Sequence, residues 1–243
     1  MRPDIDIRSY FDTRAGLVVV LISALAVAAI ALAGGLLQGS LIPEEAVDVE
    51  ITVIAVSLPL SLIIPVIAVV MMAGEWSDRS IQVTLLQRPG RLRVLASKLL
   101  SALLVVGAII AGSVLLAMAT TWIGGQVGNG SSFSSMDRVL TTQVTVLLAT
   151  LAFSIAMGVL TQSTVMGLLT AIGIPFVVST ARQFAMLAGS ENLDGVLRAV
   201  DLQAAAVAFG DGQAEAFDVL PLLILVALPL ALGAWRWNRR EIG

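Results

Sequence analysis

Few residues in this chain have side chains that could do chemistry, and one short segment gathers seven of them. From Gly74 to Lys98 the sequence reads GEWSDRSIQVTLLQRPGRLRVLASK, which gathers Glu75, Asp78, Arg79, Arg88, Arg91, Arg93 and Lys98 around a Pro89-Gly90 break. Such a set suits ion pairing and surface contact, not bond making. Histidine and cysteine are absent. Their absence removes the commonest general base, every thiol nucleophile and the usual ligands of a transition metal. No GxxxxGK[ST] run is present to cradle the phosphates of a nucleotide. Ser-His and paired-aspartate hydrolysis within a bilayer is excluded because none of the chain's long apolar runs holds a histidine or an aspartate. The chain is expected to bind no metal and no cofactor, and to be no enzyme. Energy for any uphill movement must then come from another polypeptide.

The elements that position this segment are membrane spans. Of the 243 residues 58% are hydrophobic and only 13% charged, with a mean hydropathy of +0.96; a soluble domain carries roughly 25% charge. Six runs are long and apolar enough to cross a bilayer: Gly16–Leu37, Ile51–Ala73, Leu99–Ile123, Val139–Leu160, Val165–Thr180 and Val219–Trp235. Within those limits none holds a charged residue. The fifth run is the shortest, with room to continue through Arg182–Leu187. With the N-terminus inside, eleven basic residues fall on the inner side and three (Arg138, Arg182 and Arg198) on the outer. The positive-inside rule then predicts a multi-pass protein of the cell membrane with both termini cytoplasmic. Trp76, Trp122, Trp235 and Trp237 all stand at span ends, at the level amphipathic rings prefer. Ala31-Leu32-Ala33 resembles a signal-peptidase site, but the run before it is longer than a signal core and its flank is charge-balanced, so a retained first span is expected.

The segment 74–98 thus forms an inner loop between spans two and three. Gly74 is suited to ending or kinking span two, Glu75 and Arg79 are spaced for a helical ion pair, and Ser80 is placed to cap a short helix Ile81–Gln87 that Pro89-Gly90 stops. The basic residues would also anchor span ends to anionic lipid without any further role. The segment resembles the first cytoplasmic loop of ABC-2 type permeases, the membrane subunits of type-2 ATP-binding-cassette exporters. The resemblance is carried by Gly74-Glu75, Leu85-Leu86, Pro89, Arg91 and Lys98, and Arg79-Ser80 replaces the Gly-Thr pair usual there. It implies a coupling helix that contacts a separate ATPase subunit, the bearer of ATP and Mg, through Glu75, Arg79, Ser80, Ile81, Thr84, Leu85, Arg88, Pro89 and Arg91. Gln162 and Ser163, in the turn joining spans four and five, would be a second contact, or simply a polar turn. Ile5–Phe11, within an N-terminal segment 1–14, resembles the interfacial helix of that family, with Ile7, Tyr10 and Phe11 on one face.

Pro59 and Pro65 in span two, Pro175 in span five, and Pro221 and Pro229 in span six bend their helices, either harmlessly or to open a path. Ser57, Ser61, Thr150, Ser154, Thr170 and Ser179 would give such a path mild polarity. Ala108/Gly112 and Gly167/Ala171 would permit close helix contact. Gly124–Ser135 reads as an outer loop. In the segment 182–218, a helix capped by Ser190 with Leu193, Val196, Leu197 and Val200 on one face is expected. Leu202, Ala205, Ala206 and Phe209 continue the pattern, lying on the outer surface or dipping into it. Two functions follow as expectations. One is a six-span permease subunit, pairing with a second copy or a paralogue and exporting an amphiphilic, lipid-like or drug-like substrate. The other is a non-transporting immunity or sensor component that binds an ATPase partner. Nucleic acid is not an expected partner.

Overall fold

The computed structural model describes residues 2–41, 45–78, 80–87 and 90–239. It is an all-α membrane protein with six helices long and apolar enough to cross a bilayer, as hydropathy predicts. A spanning helix satisfies its own backbone in lipid, so apolar runs of this length have few alternatives.

In chain order, α1 (Pro3–Phe11) precedes the first span, which comprises α2 (Arg14–Leu32), a π-helical turn Ala33–Leu37 and α3 (Gln38–Leu41). Thr13 caps α2 by accepting from the Gly16 backbone N–H at 3.0 Å. A two-residue strand β1 (Val47–Asp48) leads into α4 (Val49–Ser77), where Asp48 accepts from Glu50 N. The short α5 (Ile81–Gln87) precedes α6 (Arg91–Val127), β2 (Ser131–Ser132) and α7 (Met136–Thr161). Next come α8 (Thr164–Leu187), α9 (Glu191–Arg198) and α10 (Leu202–Gly210). The last span runs through a 3-10 turn Ala216–Asp218, α11 (Val219–Leu222), a π-helical turn Leu223–Ala227 and α12 (Leu228–Arg239). The first span, α4, α6, α7 and α8, with this last one, are the six crossings.

The packing is built round α4 and α7, which lie against each other at the centre. In α7's most apolar stretch 61% of residues are buried, against 11% in α8; α8 is therefore peripheral. Two glycine crossings bring spans close together. A Cβ on Gly35 would lie 2.3 Å from the Thr120 carbonyl oxygen, so the first span and α6 touch backbone to backbone. A Cβ on Gly167 would lie 2.6 Å from Val69, and Ala171 is buried, so that small pair seats α8 on α4. The pair Ala108/Gly112 does not behave so: it is exposed on α6, and Gly112 has nothing within 4 Å of an added Cβ.

Several limits differ from the sequence reading. Gly74 does not end α4, which continues to Ser77. The expected loop 124–135 is helical to Val127 and then pairs in parallel with β1, Val47 beside Ser131. The fifth span reaches Leu187 and so contains Arg182. Ser190 stands at the start of α9, but its side chain makes no capping bond. The prolines lie where expected, Pro59, Pro65 and Pro175 inside continuous helices and Pro221 and Pro229 on either side of the second π-turn. The end of the bundle with α1, α5, the α7–α8 turn and α12's last residues is called the loop end below. The end with α9 and α10 is the hairpin end.

Candidate functional site

At the loop end, α5 begins where Ser80's carbonyl accepts from Val83 N at 3.0 Å and from Thr84 N at 3.4 Å. Residues four apart share a helix face, and Ile81 and Leu85 turn that face into the chain's own core at 3% and 9% exposure. The opposite face shows Gln82, Val83 and Leu86, with Leu86 85% exposed. Ile81 and Leu85 were expected to meet a partner; they hold α5 in place instead, and Thr84 is half-buried between the two faces. Arg79, Arg88 and Pro89 lie outside the described residues.

Glu75 does not project outward either. Its Oε1 accepts from Lys98 Nζ at 2.7 Å, and Lys98 also donates to the Met71 carbonyl at 3.3 Å. This pair joins the last turns of α4 to α6 on either side of α5. Beneath it α1 is fastened to α6: Ser97 donates to Asp6, and Ser101 donates to the Pro3 carbonyl at 3.2 Å. Tyr10 is buried there, which pushes its phenol above its ordinary pKa. Ile7 packs on the same core while Phe11 stays 38% exposed. Trp76 meets the fully buried Trp237 edge to face at 5.1 Å, tying α4 to α12.

The second predicted contact sits beside the first. Ser77, at the end of α4, accepts from Thr164 N at 2.9 Å, and the two hydroxyls are bonded to each other at 2.9 Å. Gln162 closes α7 in the left-handed conformation at φ 50° and is only 5% exposed, so it is a buried turn residue and not an offered contact. Ser163 is half-buried and caps α8 by accepting from Met166 N. Arg91 donates to the Asn238 carbonyl and Arg236 to the Leu160 carbonyl, each at 3.1 Å. Both cations thereby satisfy carbonyls at helix C-termini, where the helix dipole favours them.

Deeper in the bundle a cavity of about 190 Å³ opens between α4, α7, α8 and α10. Ser61, Thr150 and Ser179 line it together, with Phe153, Pro175 and Phe176 among the apolar walls. The other three expected path residues are elsewhere. Ser154 is fully buried against Thr150, Ser57 lines a gap of only about 10 Å³ beside α6, and Thr170 faces the groove along α8's outer side. Gln203, at the start of α10, is a cavity residue that the sequence reading missed. The available signal was an amide next to Leu202 in an otherwise apolar helix.

The hairpin α9–α10 dips into the bundle, with Leu202, Ala205 and Ala206 buried against α7 and α8. Arg182 holds it, donating to Asp194 from Nε and to Asp201 from Nη1, both at 2.9 Å. Asp201 also caps α10 by accepting from Ala204 N at 3.0 Å. On the far side Arg198 bonds Asp218 at 3.0 Å and Glu215 at 3.1 Å. Its hydrogen bonds to Asp218 hold the Arg198 guanidinium above its ordinary pKa. No group of acids able to hold a metal ion is present among the described residues.

A family model described as "Protein of unknown function (DUF2705)" matches residues 44–243. No curated protein and no solved structure matches the chain. The match takes in five of the six spans, α5 and the hairpin, and the chain accordingly belongs to the DUF2705 family.

Proposed function

We propose that this chain is the membrane subunit of an ATP-driven exporter, a half-permease that pairs with a second copy or a paralogue. Its motor is a separate ATPase, carrying ATP and Mg, that docks at the loop end. The observation carrying this reading is the outward face of α5. Leu86 at 85% and Val83 at 58% exposure stand beyond the spans, on a helix whose other face is locked into the core. Adjacent apolar side chains held outward on a helix beyond the spans support a protein contact there. The α7–α8 turn, bonded to Ser77, would complete the surface. Arg91, Arg93, Arg236 and Arg239 stand at this end, while Glu215, Asp194, Asp201, Asp211 and Asp218 stand at the other. That distribution supports a cytoplasmic loop end and cytoplasmic termini in the cell membrane.

The cavity beside α8 is then the place for an amphiphilic substrate. At about 190 Å³ it is small beside the roughly 300–1,000 Å³ of drug-sized sites, and this favours a second reading, a non-transporting immunity or sensor component. One experiment separates the two. The native complex is purified, every bound polypeptide identified, and ATP-dependent movement of amphiphile measured in vesicles. An ATPase partner with transport supports the exporter; a partner without transport supports the sensor; no ATPase partner removes both.

A further inference from the structure

We infer that the cavity between α4, α7, α8 and α10 takes the headgroup of an uncharged amphiphile that donates hydrogen bonds, and disfavours anions. The inference rests on the exporter reading for its route, and on the direction of four polar groups for its chemistry. A serine or threonine hydroxyl has one proton to give and two lone pairs to accept with. Ser61 donates its proton to the Leu58 carbonyl at 2.7 Å, Thr150 to the Val146 carbonyl at 2.9 Å, and Ser179 to the Phe176 carbonyl at 3.1 Å. A carbonyl can only accept, so each of these bonds uses the hydroxyl proton. What the three residues retain for a ligand is acceptor capacity.

Gln203 supplies the exception. It lines the cavity and its amide has no partner among the described residues, so it offers both N–H and C=O. Among the described residues no charged side chain lines the cavity. The nearest charges along the chain, Arg182 and Asp201, are bonded to each other. A carboxylate or phosphate would bring acceptors to a wall of acceptors, and lose its water for one amide donor. A cation would find no counter-charge. A hydroxyl or amide head satisfies the wall and is in turn satisfied by Gln203. Leu62 and Phe176, which also line the cavity, are 58% and 69% exposed, so the site opens between α4 and α8 toward the bilayer, where an acyl tail would lie.

The test uses the full chain in phosphatidylcholine nanodiscs, without nucleotide or partner. Three radiolabelled probes share one acyl chain: glycerol monolaurate with hydroxyl donors, ionised laurate, and methyl laurate with no donor. Glycerol monolaurate should bind saturably and about tenfold tighter than either of the others. Thr150→Val and Gln203→Leu should weaken it, and Gln203→Lys should shift preference toward laurate. Gln203 is exposed, so its variants retain the fold even if Thr150→Val does not. Equal or tighter binding of laurate or methyl laurate, an unchanged preference in Gln203→Lys, or no saturable binding at all overturns the inference. Because no ATPase is present, such a failure is distinct from the failure of the exporter reading, which turns on finding the partner.

Discussion

Glu75 and Lys98, the lone lysine of the chain, form an ion pair of 2.7 Å whose side chains are 25% and 6% exposed. The pair closes the base of the loop that carries α5, so an effect of Glu75 on a partner would pass through the position of that loop. Removing one member leaves the other charge buried. Lys98→Met or Glu75→Gln alone should therefore cost about 1–3 kcal/mol. The double variant should cost less than the sum, since it leaves no stranded charge. Thermal unfolding of the four proteins in detergent gives the cycle; additive losses would show that the pair contributes nothing.

On α5 the two faces make opposite predictions. Leu85→Ala removes a buried side chain and should destabilise the protein by about 2–5 kcal/mol. Leu86→Ser changes an exposed one, so the melting point should stay within the effect of about 0.5 kcal/mol. Yet Leu86→Ser should cost binding to the proposed ATPase partner, read by co-purification. A Leu86→Ser protein that keeps its partner would move the contact off this helix.

The absence of native cysteine allows orientation to be read directly. Ser134 at the hairpin end and Gln82 on α5 are both exposed. In intact cells Ser134→Cys should react with an impermeant maleimide, and Gln82→Cys only after permeabilisation. The reverse pattern would invert the topology and place α5 outside.

The spans were legible in the sequence because a crossing helix must be apolar over its whole lipid-facing length. Their ends were less so: α6 begins at Arg91 and ends at Val127, beyond the apolar run Leu99–Ile123, because a helix continues into water once its turns have packed. The helix Ile81–Gln87 was legible for a local reason, the Pro89-Gly90 stop. Lateral neighbours were not. Ala108/Gly112 and Gly167/Ala171 have the same spacing, yet one pair is exposed and the other seats α8 on α4. Periodicity assigns a residue to a face without naming the helix opposite. For the same reason Ser61, Thr150 and Ser179 meet in one cavity while Ser57, Ser154 and Thr170 do not. Gln203 escaped notice because α10 is placed by contacts distant along the chain, among them the Arg182 bonds to Asp194 and Asp201, 12 and 19 residues away.

The contact of the first span with α6 separates two glycines that look alike in sequence. Gly35→Ala would drive a methyl group to 2.3 Å from a backbone oxygen, and should destabilise by about 1–3 kcal/mol or more as the helices part. Gly112→Ala meets open space and gains up to about 1 kcal/mol of helix propensity, so its melting point should be unchanged or raised. Equal losses in both would show that the close approach of the two helices is wrong.

Arg182 makes the sharpest prediction about motion. One guanidinium bridges Asp194 in α9 and Asp201 at the cap of α10, and Asp201 is 9% exposed. Hydrogen bonds to charged groups contribute about 1.5–3 kcal/mol each, so Arg182→Gln should free the hairpin before it affects the bundle. Amide exchange in α10 should then quicken by at least about tenfold while α7's buried middle stays protected. Arg182→Lys keeps the charge without the planar fork, so it can serve one aspartate but not both in the same geometry, and its exchange should fall between the two. If α10 exchanges at the wild-type rate in Arg182→Gln, apolar packing of Leu202, Ala205 and Ala206 holds the hairpin, and the two ion pairs only decorate it.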